Sequence, residues 1–424
     1  MESYGPYTNY PSPPAPAHTV ITTKFDGGTD MNKQKLSAIQ NILQEMTDTQ
    51  FVSGISCMVM QNGREQCYYE AGCRDLAARL PMTRDTIFRL YSMSKPVTAT
   101  AVMILLEEGK LDLLDPVSKY LPSFADQCVM QNGIMTPVKR PITIQDLLNM
   151  TSGLVYPGES SAAEVRTGTL MEEVVANLTS SHPLTTMEIM KRLGQIPLAF
   201  QPGEKWQYGI SADVLGAVVE AVSGMRFGEF LAKRIFEPLG MKDTAFYVPA
   251  DKQKRLAKVY DETSDGLQET FICHLGVQNR MELLPAFESG GAGLVSTIDD
   301  YAAFTQMLLH NGSFRGTSLL CAKTVEFMTK AHLTPAQQTY VNQWESLPGF
   351  TYANLLRIMT DPGAAVSLGS PGEYGWDGWL GTYMMNDPIN KLTLLIMQQK
   401  TNSGTTAFTR RIRNVVFSAL EPSA

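Results

Sequence analysis

The sequence predicts a mixed α/β (α+β) fold, an antiparallel sheet flanked by helices together with a mostly helical domain. Strand patterns gather at both ends of the chain, at 52–71 and from about 245 onwards. Between them, residues 92 to about 240 carry apolar residues at helical spacing. Strands at both ends around a helical insert imply one sheet built from both termini. The expected division is an extended or disordered arm over 1–30, a mixed α/β domain from 31–90 and 245–424, and a mostly helical domain over 91–244.

The arm holds Pro6, Pro11, Pro13, Pro14 and Pro16 among Gly, Ser, Thr and Tyr, a poor core-former. A helix pattern begins at Met31 with Leu36, Ile39, Ile42, Leu43 and Met46. Val52 to Met60 and Gln66 to Ala71 read as two strands around Asn62-Gly63, a hairpin signal. A helix follows Ser92, carrying Val97, Ala101, Ile104 and Leu105 and stopping at Gly109. Leu111 to Val117 reads as a turn before a short helix that ends at Leu121-Pro122.

Thr143 caps the next helix and Gly153 ends it. Ser152 closes that helix more readily than it acts as a second nucleophile, because no base stands near it in sequence. Residues 155–200 are largely helical in pattern, most clearly at Met171 to Leu178 and Thr186 to Leu193. A turn at Pro202-Gly203 leads to a helix from about Ala212 to Ser223, and another runs from Phe227 to Ile235.

Beyond 245 the character changes. Ala245 to Val248 and Lys258 to Tyr260 look like strands, and a glycine-rich loop over 287–297 runs into another. Thr297 or Ile298-Asp299-Asp300 caps a helix from Tyr301 to Leu309. Residues 332–372 read as an irregular surface elaboration. Gly375 to Met385 reads as one strand, Leu392 to Gln398 as a second, and Thr406 to Leu420 as the closing helix.

Composition removes several function classes. The chain has 424 residues, 44% hydrophobic and 18% charged, which is ordinary globular material. Its net charge of −7 leaves no electrostatic footprint for nucleic acid. The six cysteines form no Cys-x-x-Cys pair, and the five histidines show no metal-ligand spacing, so neither a zinc site nor any other metal is expected. No apolar run reaches the length of a membrane span. No basic region followed by an apolar one opens the chain, so no signal peptide is read and a cytoplasmic location is expected. The glycine-rich loop is not a Gly-x-Gly-x-x-Gly opening a helix, so a dinucleotide has little support and no cofactor is expected.

One stretch carries chemistry. Ser92-Met93-Ser94-Lys95 places a hydroxyl and an amine three residues apart at a helix start, on one face. The first N–H groups of a helix are unpaired and favour developing negative charge. A serine there, with a lysine one turn on, suits an activated nucleophile. A helix-capping serine beside a solvated lysine would give the same tetrad.

More distant blocks separate these readings: Leu147 to Leu154, Pro202 to Gly209, Gly290 to Leu294 and Trp376 to Thr382. Together with Phe88 to Lys95, and in this order, they resemble the serine β-lactamase and penicillin-binding-protein superfamily. The likeness is closest to class C β-lactamases and to the family VIII carboxylesterases that share their fold. The resemblance spans about 35–420 and implies a β-lactamase/transpeptidase-like fold with the active site between two domains. It makes Ser92 the nucleophile, Lys95 the family lysine and Tyr208 the family tyrosine. Either Lys95 or Tyr208 can then accept the Ser92 proton, and the two titrate as a unit. The resemblance also implies an oxyanion hole from the N–H groups of Ser92 and Trp379.

Two departures from the β-lactamase pattern bear on substrate. Gly209-Ile210 follows Tyr208 where β-lactamases carry Ser and Asn, and Trp376-Asp377-Gly378 replaces their Lys-Thr-Gly. Apolar Ile210 and anionic Asp377 are poor partners for an anionic substrate, and Trp376 and Trp379 can wall an acyl pocket. An uncharged small-molecule ester is the expected substrate, hydrolysed through an acyl-serine. A β-lactamase or D-amino-acid peptidase is the alternative within the fold, and a non-catalytic binding protein the alternative outside it. No Gly-x-Ser-x-Gly is present, which counts against an α/β-hydrolase. Oligomeric state is not readable.

Overall fold

The computed structural model describes residues 31–131, 133–330 and 333–420. The arm expected over 1–30 lies outside the described residues. An antiparallel sheet of eight strands forms the frame. From one edge to the other its strands are Phe350–Ala353, Leu356–Met359, Tyr374–Asp377, Tyr383–Asp387, Leu392–Gln398, Gly54–Gln61, Arg64–Asp75 and Leu80–Pro81. The two ends of the chain meet at the centre, where Gly54–Gln61 pairs with Leu392–Gln398 in the register Cys57 to Ile396. The hairpin at Asn62-Gly63 forms, with both residues at positive φ as a tight two-residue turn requires.

Side chains alternate across the sheet with period two. Ile55, Cys57, Val59, Leu394 and Ile396 face one side, where Ile39, Leu43, Met46, Ile412 and Val416 cover them. These come from the helices Ala38–Asp48 and Ala407–Ser418. Met58, Leu395 and Met397 join the larger core on the other face, with Tyr301 and Phe304 of the helix Ile298–Leu309. The two central strands, Gly54–Gln61 and Leu392–Gln398, are therefore buried on both faces.

Several expectations need correcting. The stretch expected as a surface elaboration over 332–372 instead supplies the helix Pro335–Val341 and the last two strands on one side of the main sheet, of which Phe350–Ala353 is the edge. Both strands are buried at every position, so they carry no apolar–polar alternation to read. The stretch 375–385 is two strands, not one. The chain reverses between Asp377 and Tyr383, with Gly381 at φ +88°. Ala245 to Val248 is not a strand, since only Ala245 pairs, with Val295. The strand expected at Lys258 begins at Tyr260 and runs to Thr263. A hairpin of Cys128–Gln131 and Ile134–Pro137 interrupts the otherwise helical stretch.

The helix after Ser92 runs from Ser94 to Glu107, and a tight 3-10 turn, Tyr91–Met93, precedes it. Ser92 thus sits in the turn that feeds the helix. Tyr91 holds φ +45°, a strained value for a bulky residue. Its surroundings hold it there: the phenol donates to Asn279 Oδ1 (2.8 Å), and Leu90 N–H donates to Leu294 O (2.8 Å). Tyr301 Oη donates to Met93 O (2.7 Å) on the other side of the turn.

Candidate active site

Lys95 is the most constrained group in the site. It has no solvent exposure, and its Nζ reaches three acceptors: Ser92 Oγ (3.1 Å), Tyr156 Oη (3.1 Å) and Gly291 O (2.8 Å). The Tyr208 ring lies beneath it, 4.6 Å from the centroid. Burial pulls the Lys95 amine down to about 7, while the charges of Asp213 and Asp377 oppose that fall. An amine of this kind exchanges its proton near neutral pH.

Tyr208 Oη accepts from Trp376 Nε1 (3.0 Å). Burial holds its proton well above the ordinary tyrosine range, opposed by the Ser92 hydroxyl and the Trp376 N–H directed at its oxygen. Tyr208 sits in an aromatic cluster with Trp344 (4.9 Å, edge-on), Trp376 (5.3 Å) and Tyr156 (5.7 Å).

Two loops bring the tyrosines together. Gln207 N–H donates to Met150 O (3.0 Å), Gly203 N–H to Thr151 O (2.8 Å), and the hydroxyls of Ser152 and Ser211 pair at 2.8 Å. Ser152, buried in this seam, is a fastener between the loops. The glycine-rich loop closes the opposite side. Asp213, on the wholly buried first turns of the helix Ser211–Ser223, accepts from Ser289 Oγ and from Gly291 N–H (3.2 Å). That bond aims the Gly291 carbonyl at Lys95. A β-carbon on Gly291 would lie 2.8 Å from Asp213 Oδ2 and 3.1 Å from Tyr156 Oη, so only glycine fits without displacing both.

The second corner is the reversal after Tyr374–Asp377. Gly378 N–H donates to Thr382 O (2.7 Å), and Thr382 Oγ1 donates to Leu90 O (3.0 Å), which ties the reversal to the Ser92 turn. A β-carbon on Gly378 would stand 2.3 Å from Leu90 O. Among the described residues, the N–H groups of Ser92 and Trp379 donate no hydrogen bond, so both are free for an oxyanion. The Trp379 indole packs on His274 (4.2 Å) and Tyr91 (5.0 Å) and donates to Asn402 Oδ1 (2.8 Å).

A cavity of about 860 Å³ opens beside Ser92. Tyr156, Tyr208, Trp376, Asp377, Gly378 and Trp379 line it, joined by Trp344, Phe350 and Arg357 from the edge strands and the segment before them. The structure therefore gathers Ser92, Lys95, Tyr208, Trp376, Asp377, Gly378 and Trp379. Ile210 is the exception: it is buried in the core at the start of its helix and does not reach the cavity. Asp377 is not a bare anion either, since it forms an ion pair with buried Arg357.

Four neighbours carry no expectation from the sequence: Tyr156, Asp213, His274 and Arg357. Asp213 left a trace, an acid in the apolar run Ala212, Val214, Leu215, Val218. Tyr156 and His274 left none, because their places depend on loop packing. Among the described residues, no group of three His, Cys, Asp or Glu side chains is placed to hold a metal ion, and no helix is long and apolar enough to cross a membrane.

A serine beside a buried lysine, at the junction of an antiparallel sheet and a helical block, defines a serine hydrolase of the β-lactamase/transpeptidase fold. The chain belongs to the beta-lactamase family, whose model matches residues 39–416. An uncharacterized protein of Mycobacterium tuberculosis is 34% identical over 376 residues, covering 86% of this chain and 90% of its own. Esterase EstB of Burkholderia gladioli is 29% identical over 379 residues, covering 86% and 91%. Among solved structures, EstCE1, described as a hydrolase with promiscuous acyltransferase activity, superposes with a TM-score of 0.77. It is 26% identical and covers 91% of this chain and 99% of its own.

Proposed function

We propose that this protein hydrolyses uncharged carboxylic esters, short-chain ones among them, through an acyl group carried on Ser92. The contact that carries the reading is Lys95 Nζ at 3.1 Å from Ser92 Oγ, inside a cavity with two free N–H groups at its corner. The likeness to Esterase EstB supports an ester over a β-lactam. The cleft lies between a sheet unit (31–90 with 245–424) and a helical unit (91–244).

The steps follow from the protonation states. Neutral Lys95 takes the Ser92 proton as Oγ bonds to the carbonyl carbon. The oxyanion rests on the N–H groups of Ser92 and Trp379. The carbonyl re-forms, the ester C–O bond breaks, and the leaving alkoxide takes up the proton held by Lys95. Tyr208 keeps its phenolic proton and orients the exchange between Ser92 and the alcohol. Water then adds to the acyl carbon and gives a proton to the Lys95 amine; as the adduct collapses the acyl C–Oγ bond breaks and Oγ takes that proton, releasing the acid and restoring Ser92 and neutral Lys95.

This assignment fixes a pH dependence. The active amine is neutral, so kcat/KM for p-nitrophenyl butyrate is expected to rise with pH and level off above about 7. A flat profile through that range would remove Lys95 as the base. A chromogenic cephalosporin run alongside tests the substrate class. The ester is expected to turn over at least about a hundredfold faster in kcat/KM. Faster cephalosporin turnover would replace the esterase reading with a β-lactamase.

A further inference from the structure

The cavity is larger than a short acyl chain needs, and part of its wall is polar with unmet hydrogen-bonding capacity. Arg357 is 4% exposed. Its Nη1 pairs with Asp377 Oδ1, and its guanidinium lies 4.6 Å from the centroid of the Tyr383 ring. Its Nη2 is buried and has no hydrogen-bond partner among the described residues. Thr405, another residue of the cavity lining, has a buried Oγ1 with no hydrogen-bond partner among the described residues. The two flank one carboxylate: Arg357 holds Asp377 Oδ1, and Asp377 Oδ2 abuts Gly404, the neighbour of Thr405. A buried donor without an acceptor is unfavourable, and cavities of this volume receive ligands of many heavy atoms.

We propose that Arg357 and Thr405 form a subsite for a second, uncharged oxygen acceptor on the substrate, so that the preferred esters carry a further carbonyl, as in a diester. The proposal rests on the esterase reading of Ser92. Charge selects the neutral form of the acceptor. A carboxylate docked on Arg357 would lie beside the Asp377 carboxylate, which already neutralises that guanidinium. The other charged residues on the cavity wall are Glu345, Arg410 and Arg413, and Arg413 is already spent on its ion pair with Glu373. A neutral carbonyl accepts the free N–H without that repulsion.

The test is a binding measurement on Ser92→Ala protein, so that it reads the subsite even if no ester is turned over. The ligands are methyl p-nitrophenyl adipate, p-nitrophenyl octanoate of equal chain length, and p-nitrophenyl hydrogen adipate, which bears a free carboxylate. Quenching of Trp344, Trp376 and Trp379 by the nitrophenyl group gives Kd. The diester is expected to bind about tenfold tighter than the octanoate, the effect of one hydrogen bond to a charged donor. It should also bind tighter than the hydrogen adipate. Adding Arg357→Lys, which retains the ion pair but loses Nη2, or Thr405→Val, which keeps the shape, should bring the diester-to-octanoate ratio close to one. Equal Kd values for diester and octanoate, a preference that survives both substitutions, or tightest binding of the hydrogen adipate would each overturn the proposal.

Discussion

Lys95→Met is expected to lose about a thousandfold or more in kcat for p-nitrophenyl butyrate. Methionine fills the same channel without a proton acceptor, so Ser92 keeps its proton and the attack stalls. KM should change little, because Lys95 Nζ is spent on Ser92, Tyr156 and Gly291 inside the protein. The same variant should be at least as stable as the wild type. The Lys95 amine is held down at about 7 in the fold, so folding must strip its proton wherever the unfolded chain keeps it. Wild-type stability therefore rises with pH from about 7 towards the ordinary lysine value, and is lowest below that window. The advantage of Lys95→Met should accordingly shrink as pH rises from about 7 to about 10. Denaturant melts at several pH values read this directly. A variant that loses activity because it has unfolded would contradict both statements.

The largest expected loss of stability is at Glu373→Ala. Glu373 and Arg413 are each 2% exposed on their side chains, and they pair through both arms, at 2.6 and 3.0 Å. Arg413 also donates to Tyr383 Oη (2.9 Å) and Leu368 O (2.8 Å), fastening the closing helix to the sheet and to the segment beside the cavity. Truncating Glu373 leaves a guanidinium buried without its counter-charge, which destabilises by about 3–5 kcal/mol. The denaturant midpoint should fall with little change in slope. The double variant Glu373→Leu/Arg413→Met removes both charges and should recover most of that loss. A single variant that melts like the wild type would show the pair to be dispensable.

What the sequence could disclose follows local chemistry. The hairpin at Asn62-Gly63, the caps Thr143 and Thr297, and the stop at Gly109 each depend on residues a few positions apart, and all are found. The seryl–lysyl contact depends on one helical turn and was legible for the same reason. Phe350–Ala353 and Leu356–Met359 escaped because complete burial erases alternation. The reversal at Gly378 to Thr382 was hidden among aromatic and threonine residues that favour strands. Ile210 follows Tyr208 by two residues, a spacing that implies a place at the substrate, but the helix that begins at Ser211 turns it into the core. Arg357 could not be foreseen: it meets Asp377 only through the pairing of Arg357 with Gly375 across the sheet edge. Tyr156 meets Lys95 only through the seam between two loops.

The central claim is that Ser92 carries the acyl group. The most direct measurement is mass spectrometry after exposure to a p-nitrophenyl alkylphosphonate, which esterifies activated serines irreversibly. One phosphonyl adduct per chain is expected, located by digestion on the peptide containing Ser92, with loss of butyrate hydrolysis in step. Ser92→Ala protein should take up none. An adduct on another residue, Ser152 or Ser94 included, or undiminished ester turnover by Ser92→Ala, would contradict the account.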